Sequence, residues 1–331
     1  MYTAPFNLLG MSWGCAMGLR VVVTHTDLDG IASAALILRE FGGIDRLYFI
    51  QPHRLHSVLA RVPNGAELYI TDLGANSSTI SRVVAELRRV VGSGGRVRWF
   101  DHHVWDGEWV SAVTDAGAEL YIDRGTCATD VVAKNLPVRD PTVRALVDAT
   151  CSVDLWVFNH WLGNYLSRFA GFRGGSEWKG YVVRKLASFS GELDEEILGV
   201  VEKCVDRELS VIGKALRRAG LADLGGLKVV YYLKGDEEHL TSYIANALMS
   251  RFSAEVAVIC RRGSVSLRSR GVNVREVAKA LGGGGHTYAA GAPLKPPLYI
   301  RLLYLLGIRG PHLKWCVRRV LKHSNLLTTS S

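Results

Sequence analysis

Residues 99–107 read WFDHHVWDG. The run from Arg96 to Phe100 (RVRWF) reads as a buried strand, and at its end stand Asp101, His102 and His103 in direct succession. Titratable side chains buried without partners are costly. A metal, an anion or a surface turn must therefore accompany them.

The same arrangement recurs upstream. LRVVVT at 19–24 reads as a strand followed by His25, with a helix over 31–41. Further strands are expected at 46–50 and at 67–71, the latter followed by Asp72. A helix over 77–91 starts at a serine and stops at Gly92. Strands alternating with helices predict an α/β fold with a mostly parallel, doubly wound sheet. In such sheets functional groups gather at the carboxyl ends of strands. His25, Asp72 and Asp101 each fall there.

Beyond this, helical spacing covers 127–135 and 141–149, ending near Asp154, while 161–179, with its FRGGS, reads as loop. A long charged amphipathic helix at 193–219 reads as a connector. Strands at 227–232, 256–260 and 264–267 and helices at 238–249 and 273–281 then make a smaller α+β domain. The expected divisions are an extension 1–18, a metal-binding domain 19–190, a connector 191–225, a substrate domain 226–297 and a basic tail 298–331. The extension lacks the basic start of a signal peptide, and Met11 and Met17 offer alternative starts.

The bulk numbers agree with an ordinary globular chain. It has 331 residues, 48% hydrophobic and 21% charged, enough for two domains. Lys plus Arg (40) against Asp plus Glu (31) leaves +9, which favours polyanionic partners. No apolar run approaches the roughly 20 residues of a spanning helix. The six scattered cysteines form no C-x-x-C pair, so neither a zinc knuckle nor a redox motif is indicated, and a reduced cytoplasm is the simplest compartment. Gln51 is the sole glutamine, a bias that fits a hot habitat.

THTDLDG places His25, Asp27 and Asp29 two residues apart, on one side of an extended strand end. ITDLGAN adds Asp72 and SVDLW adds Asp154. Each piece alone could be a turn or a helix cap. Together they would repel strongly without cations. Carboxylates with some imidazole suit Mn²⁺ first and Mg²⁺ second. More than three such groups suggest two cations roughly 3.5–4 Å apart, the arrangement used for phosphoester cleavage.

The order H-x-D-x-D-G, a lone D after a strand, D-H-H and a further D resembles the DHH phosphoesterase family. That family contains RecJ-type exonucleases, nanoRNases, phosphodiesterases of cyclic dinucleotides and family II inorganic pyrophosphatases. The resemblance implies that Asp27 binds one metal and Asp29 the other, with Asp72 bridging both. It implies that His102 and Asp154 complete the ligand set of the second metal, that His25 completes or flanks that of the first, and that His103 faces the phosphate. Asp101 would orient a histidine from behind. Asp106 and Asp148 match no motif and read as structural.

Near the C-terminus, LRSRGVNVREVAKALGGGGHTYAAGA strips side chains from Gly282 to Gly285 ahead of His286. Exposed N–H groups there would form an anion nest, and Arg268 and Arg270, bracketing Ser269, suit phosphate oxygens. A plain glycine loop is the competing reading. Lack of a following Lys-Ser or Lys-Thr excludes a Walker-type loop. The segment 227–294 resembles the DHH-associated C-terminal domain. This implies that Arg268, Ser269, Arg270, Gly283, Gly284, Gly285 and His286 hold the substrate, and it counts against a pyrophosphatase. Beyond Pro297, Arg301, Arg309, Lys314, Arg318, Arg319, Lys322 and His323 lie among Leu, Tyr and Trp; a solvated charged face over packed leucines is favoured over a nucleic-acid-binding helix.

These readings converge on a metal-dependent phosphodiesterase. It would release nucleoside monophosphates from short oligonucleotides or single-stranded nucleic acid, with Asp72, His102 and His103 as the reacting centre. The alternatives are a phosphodiesterase or phosphatase of a small nucleotide and a non-catalytic replication scaffold of the same fold. Two divalent cations are the expected cofactors, no membrane is expected, and homodimer formation is compatible with the sequence.

Overall fold

The computed structural model describes residues 6–8, 18–137, 140–235 and 240–329. The chain divides into two compact units, Met1–Val201 and Glu202–Ser331.

In the first unit the strands are β1 (Phe6–Leu8), β2 (Arg20–Thr24), β3 (Ile44–Phe49), β4 (Glu67–Thr71), β5 (Arg96–Asp101) and β6 (Glu119–Ile122). They form one sheet in the order β1-β3-β2-β4-β5-β6. The five strands β2 to β6 pair in parallel, and β1 adds antiparallel to β3. Part of the expected loose extension is thus an edge strand.

The helices are α1 (Leu28–Phe41), α2 (Leu55–Leu59), α3 (Ile80–Gly92), α4 (Gly107–Thr114), α5 (Ala128–Asn135), α6 (Pro141–Asp154), α7 (Trp161–Gly171) and α8 (Ser176–Ala187). Period-two alternation in the strands sorts them onto two faces. Val22, Tyr69 and Phe100 point to a core shared with α1 and α5 to α8. Val21, Val23, Leu68, Ile70 and Trp99 point to a core shared with α2, α3 and α4. The sheet is therefore buried on both sides, as parallel sheets must be. Because β3 lies on one side of β2 and β4 on the other, the chain reverses direction between β2 and β4. That reversal opens a crevice at their carboxyl ends.

The stretch 161–179, expected as loop, is mostly α7 and the start of α8. Only Phe172–Gly175 interrupts them, with Gly175 at φ +91°. Glycines hid the helical pattern there. Gly163 serves packing: a Cβ on it would lie 2.4 Å from the Ala149 carbonyl oxygen and 2.6 Å from Val153 Cγ2, both in α6.

Helix α9 (Glu195–Arg218) runs from the first unit into the second. The second unit contains β7 (Gly220–Leu224), β8 (Leu227–Leu233), α10 (Thr241–Phe252), β9 (Val256–Cys260), β10 (Ser264–Ser269), β11 (Val272–Asn273), α11 (Arg275–Ala280), β12 (Gly284–Gly285), β13 (Ala289–Pro293), α12 (Leu298–Leu305), α13 (Gly310–Leu321) and β14 (Thr328–Thr329). Its main sheet has the order β12-β13-β10-β9-β8-β7, with β8 and β9 parallel and the other pairs antiparallel.

The tail departs from the expected leucines packed under a charged face. Helix α13 buries Cys316, Val317 and Val320, but α12 leaves Leu298, Tyr299, Leu302 and Leu305 exposed.

Two disulfides, Cys127–Cys151 and Cys260–Cys316, replace the reduced thiols expected. Their partners are distant in sequence, so spacing carries no trace of them. Intracellular proteins of hyperthermophiles also carry such bonds. No described helix is long and apolar enough to cross a membrane.

The start of α1 depends on a close backbone approach at Gly30. A Cβ there would sit 2.6 Å from the His25 carbonyl oxygen and 2.8 Å from His25 N and C. Gly30→Ala is expected to lower the thermal midpoint by several degrees, corresponding to about 1–3 kcal/mol of overpacking. Thermal unfolding followed by circular dichroism checks this, and an unchanged midpoint would show that the turn has room.

Candidate metal centre

Three strand ends and one helix end deliver the polar groups. Just past β2, His25 Nδ1 lies 2.7 Å from Asp27 Oδ2 and 3.4 Å from Asp72 Oδ2. Asp27 caps α1, its Oδ1 accepting the Gly30 N–H at 3.2 Å. Asp29, in the first turn of α1, is buried at 1% exposure. Its carboxylate is gripped by the start of α5: Ala128 N–H and Thr129 N–H donate at 2.8 Å each, and Thr129 Oγ1 at 2.6 Å. Asp72 follows β4 with φ +54°, a left-handed conformation that a non-glycine residue adopts at a cost. Its N–H is tied to the Phe100 carbonyl of β5 at 3.0 Å.

His102 stands at the centre. Its Nε2 lies 3.4 Å from Asp72 Oδ1, 3.5 Å from Asp154 Oδ2 and 3.6 Å from Asp29 Oδ2. Its Nδ1 lies 2.9 Å from the Thr126 carbonyl oxygen. A carbonyl only accepts, so Nδ1 carries the proton and Nε2 is the ligand-type nitrogen. His103 also borders the Asp72 carboxylate, its ligand-type atom within 4.8 Å of those of Asp72 and Asp101; its Nδ1 meets Asp101 Oδ1 at 2.8 Å, while Trp105 Nε1 donates to Asp101 Oδ2 at 2.6 Å. Asp101 therefore holds His103, not His102.

Ligand-type atoms of His25, Asp27 and Asp72 lie within 4.8 Å of one another, as do those of Asp29, Asp72 and His102. Asp72 is common to both groups. Asp154 joins the second through His102. The donor set fits hard divalent cations. A further sign is that the buried oxygens Asp72 Oδ2 and Asp154 Oδ2 accept no hydrogen bond among the described residues. Oxygens left so are costly unless a cation faces them.

The electrostatics carry the same message. Burial, then the neighbouring Asp72 and Asp154, push the Asp29 carboxyl well above the ordinary range. Burial pushes Asp154 up to about 7 against the pull of His102, with Asp72 and Asp27 adding to the rise. Burial opposes charge on both histidines, but carboxylates prevail. His102 rises to about 11 through Asp72, Asp154 and Asp29, and His103 rises to about 9 through Asp101. Without cations, protons do the neutralising.

The segment after Asp154 was not legible in the sequence. Trp156 (φ +65°) and Phe158 (φ +55°) both adopt left-handed conformations, rare for aromatic residues. Val157 and Phe158 N–H groups return to the Ser152 carbonyl at 3.0 and 2.8 Å, folding this loop onto the last turn of α6. The supports supplied by Thr126, Ala128 and Thr129 were also missed; two of the three act through backbone atoms alone.

In the second unit, Arg268 Nε meets Ser242 Oγ at 3.2 Å, and Arg270 Nη2 meets Asn246 Oδ1 at 2.5 Å and Ser250 Oγ at 2.9 Å, so both lean on α10. Ser269 is buried and spends its hydroxyl proton on the Val272 carbonyl at 2.5 Å, closing the turn to β11. Two of the four donors of the expected nest are committed within the chain. Gly282 and Gly283 N–H groups bond to Lys279 and Ala278 carbonyls at the end of α11, and Gly284–Gly285 pair with β13 as a sheet edge. The glycines are there because β13 lies close: a Cβ on Gly283 would fall 2.0 Å from the Gly291 carbonyl oxygen. His286 N–H donates to the Ala289 carbonyl at 2.8 Å in the following turn.

Residues 226–303 match the DHHA1 domain. No curated protein matches the chain in sequence. Among solved structures, it is similar to RecJ from Thermus thermophilus in complex with Mn²⁺, at 14% identity and a TM-score of 0.58, over 94% of this chain and 53% of that one. An exopolyphosphatase-related protein from Bacteroides fragilis matches at 14% identity and TM-score 0.54, over 91% and 94% of the two chains. CDC45 from Entamoeba histolytica matches at 8% identity and TM-score 0.51, over 90% and 95%. At these identities the likeness is one of fold.

Two expectations follow for metal binding. Asp154 and Asp29 have folded-state pKa values above their unfolded ones. The Asp154 contribution to metal-free stability is therefore present at low pH and lost as pH rises through about 7, and that of Asp29 is lost in the same direction. A cation must displace the Asp154 proton, so Mn²⁺ affinity is expected to fall about tenfold for each pH unit below about 7. The Mn²⁺-induced rise in thermal midpoint should be larger at pH 8 than at pH 6; an equal rise would contradict this protonation. Thr129→Val removes a hydroxyl from Asp29 with little change of shape and is expected to weaken Mn²⁺ binding about 10-fold to 100-fold by calorimetry.

Proposed function

We propose, for a chain with a DHHA1 domain and a RecJ-like fold, that it is a divalent-metal-dependent phosphodiesterase. Short oligonucleotides are its substrates, cleaved at a terminal nucleotide to release nucleoside monophosphate. The observation carrying this reading is the shared position of Asp72, whose two carboxylate oxygens face two ligand groups. Such sharing is what a two-cation phosphoester centre needs.

His25, Asp27 and Asp72 would hold one cation, and Asp29, Asp72, His102 and Asp154 the other. Bound there, divalent cations supply Lewis acidity and a water acidified towards roughly pH 7. The remaining work belongs to the chain. Thr126 and the start of α5 hold His102 and Asp29 in fixed orientation, so no reorganisation is needed when substrate arrives. His103, fixed by Asp101 through Nδ1 and protonated at neutral pH, presents Nε2 as a cationic donor to a phosphoryl oxygen. In the DHHA1 domain, Arg268, Arg270 and His286 would hold the neighbouring nucleotide, contributing orientation rather than chemistry. Ser269 would shape that surface with its hydroxyl proton already committed, and Gly283, Gly284 and Gly285 would bring the backbone close to the substrate. The net charge of +9 favours a polyanionic substrate. A non-catalytic scaffold is disfavoured because every ligand-type position is filled.

Mn²⁺-dependent release of mononucleotide from a labelled dinucleotide, compared with a twenty-nucleotide strand, tests the proposal. The dinucleotide is expected to turn over faster. Asp72→Ala and His102→Ala should each abolish turnover while leaving the circular dichroism spectrum in place. Activity above a few per cent in either variant would contradict the assignment.

A further inference from the structure

One covalent bond joins the supports of the metal centre. Thr126, whose carbonyl fixes His102, directly precedes Cys127, and Ala128 and Thr129, which grip Asp29, directly follow it. Cys127 bonds to Cys151, which lies three residues before Asp154 in the last turn of α6. The disulfide thus ties the segment orienting His102 and Asp29 to the helix end that supplies Asp154. Its two cysteines differ in access. Cys127 is fully buried, whereas Cys151 is half-buried and lines an open pocket of about 300 Å³ with Thr126, Ser152, Leu155, Asn159 and His160. That volume admits a small reductant, and access helps decide which sulfur is attacked.

We propose that Cys127–Cys151 is a redox-sensitive clamp on the metal centre, opened by small dithiol or phosphine reductants that enter this pocket. This inference rests on the reading of the centre as a cation site. In the dithiol case, a thiolate attacks Cys151 Sγ and the S–S bond breaks, with Cys127 leaving and taking up a proton. The second thiolate then displaces Cys151, which is protonated in turn. Two electrons and two protons pass to the protein, and the dithiol leaves as a cyclic disulfide. With the bond open, Asp154 is kept in register with His102 and Asp29 by the non-covalent packing of α6 against α1, α5 and α7 alone. Cation affinity drops as it does when residues supporting metal ligands are lost, by about tenfold or more.

The test compares the oxidised full chain with protein reduced by a water-soluble phosphine, which is removed before measurement. Thiols formed under native conditions are counted by alkylation and mass spectrometry, and Mn²⁺ binding is measured by calorimetry and by electron paramagnetic resonance. The reduced protein is expected to bind Mn²⁺ about tenfold or more weakly, with recovery on reoxidation. Cys316→Ser, which removes the other disulfide, should keep wild-type affinity; a matching loss there would overturn the assignment to Cys127–Cys151. Should reduction unfold the protein, Cys127→Ala/Cys151→Val refills the space without the bond, and wild-type Mn²⁺ affinity in that variant would overturn the clamp. Resistance of the native bond to the phosphine would overturn its redox sensitivity. Equal affinity of oxidised and reduced protein overturns the clamp alone, whereas failure of the oxidised protein to bind Mn²⁺ overturns the metal centre and the clamp with it.

Discussion

Asp29, Asp72 and Asp154 converge on a single imidazole nitrogen of His102, each carboxylate 3.4 to 3.6 Å from it. Three buried like charges cannot coexist without a compensating positive charge. Much of the first unit can be read as machinery for holding that arrangement. A doubly wound sheet brings β2, β4 and β5 side by side, so His25, Asp72 and Asp101 emerge next to one another. The left-handed turn at Asp72 and the grip of α5 on Asp29 are local costs accepted for the same purpose. This is the usual pattern of strain near functional groups, offset by packing elsewhere.

The centre is polarised in its connections. His102 is wired to the ligand groups at one nitrogen and to a backbone carbonyl at the other, whereas His103 is wired to Asp101 and, through it, to Trp105. Neighbours in sequence thus serve different ends. The T-shaped stacking of the two rings, with centroids 4.7 Å apart, lets each constrain the other.

What the sequence disclosed and what it withheld follow from the kind of atom involved. The polar groups gathered after β2, β4 and β5 were legible because each interrupts an apolar run at a strand end. Asp154 needed the family resemblance, since an aspartate at a helix end resembles an ordinary capping residue. The Thr126 carbonyl and the Ala128 N–H left no trace, because every residue but proline carries the same backbone atoms. Ser269 and the run Gly282–Gly285 suit phosphate in composition, and each also serves the fold in a way composition does not reveal: one closes a turn and the other lets β13 approach. The aromatic residues Trp156 and Phe158 gave no warning of left-handed backbone, a conformation that sequence reasoning assigns to glycine or asparagine.

The short strand β1 has a bearing on the molecule beyond its three residues. It occupies the outer flank of β3, where the parallel sheet would otherwise end. Without it, the flank of β3 would be an uncovered ladder of donors and acceptors, which neighbouring molecules can extend. Three residues at a sheet margin thus bear on the colloidal behaviour of the whole chain.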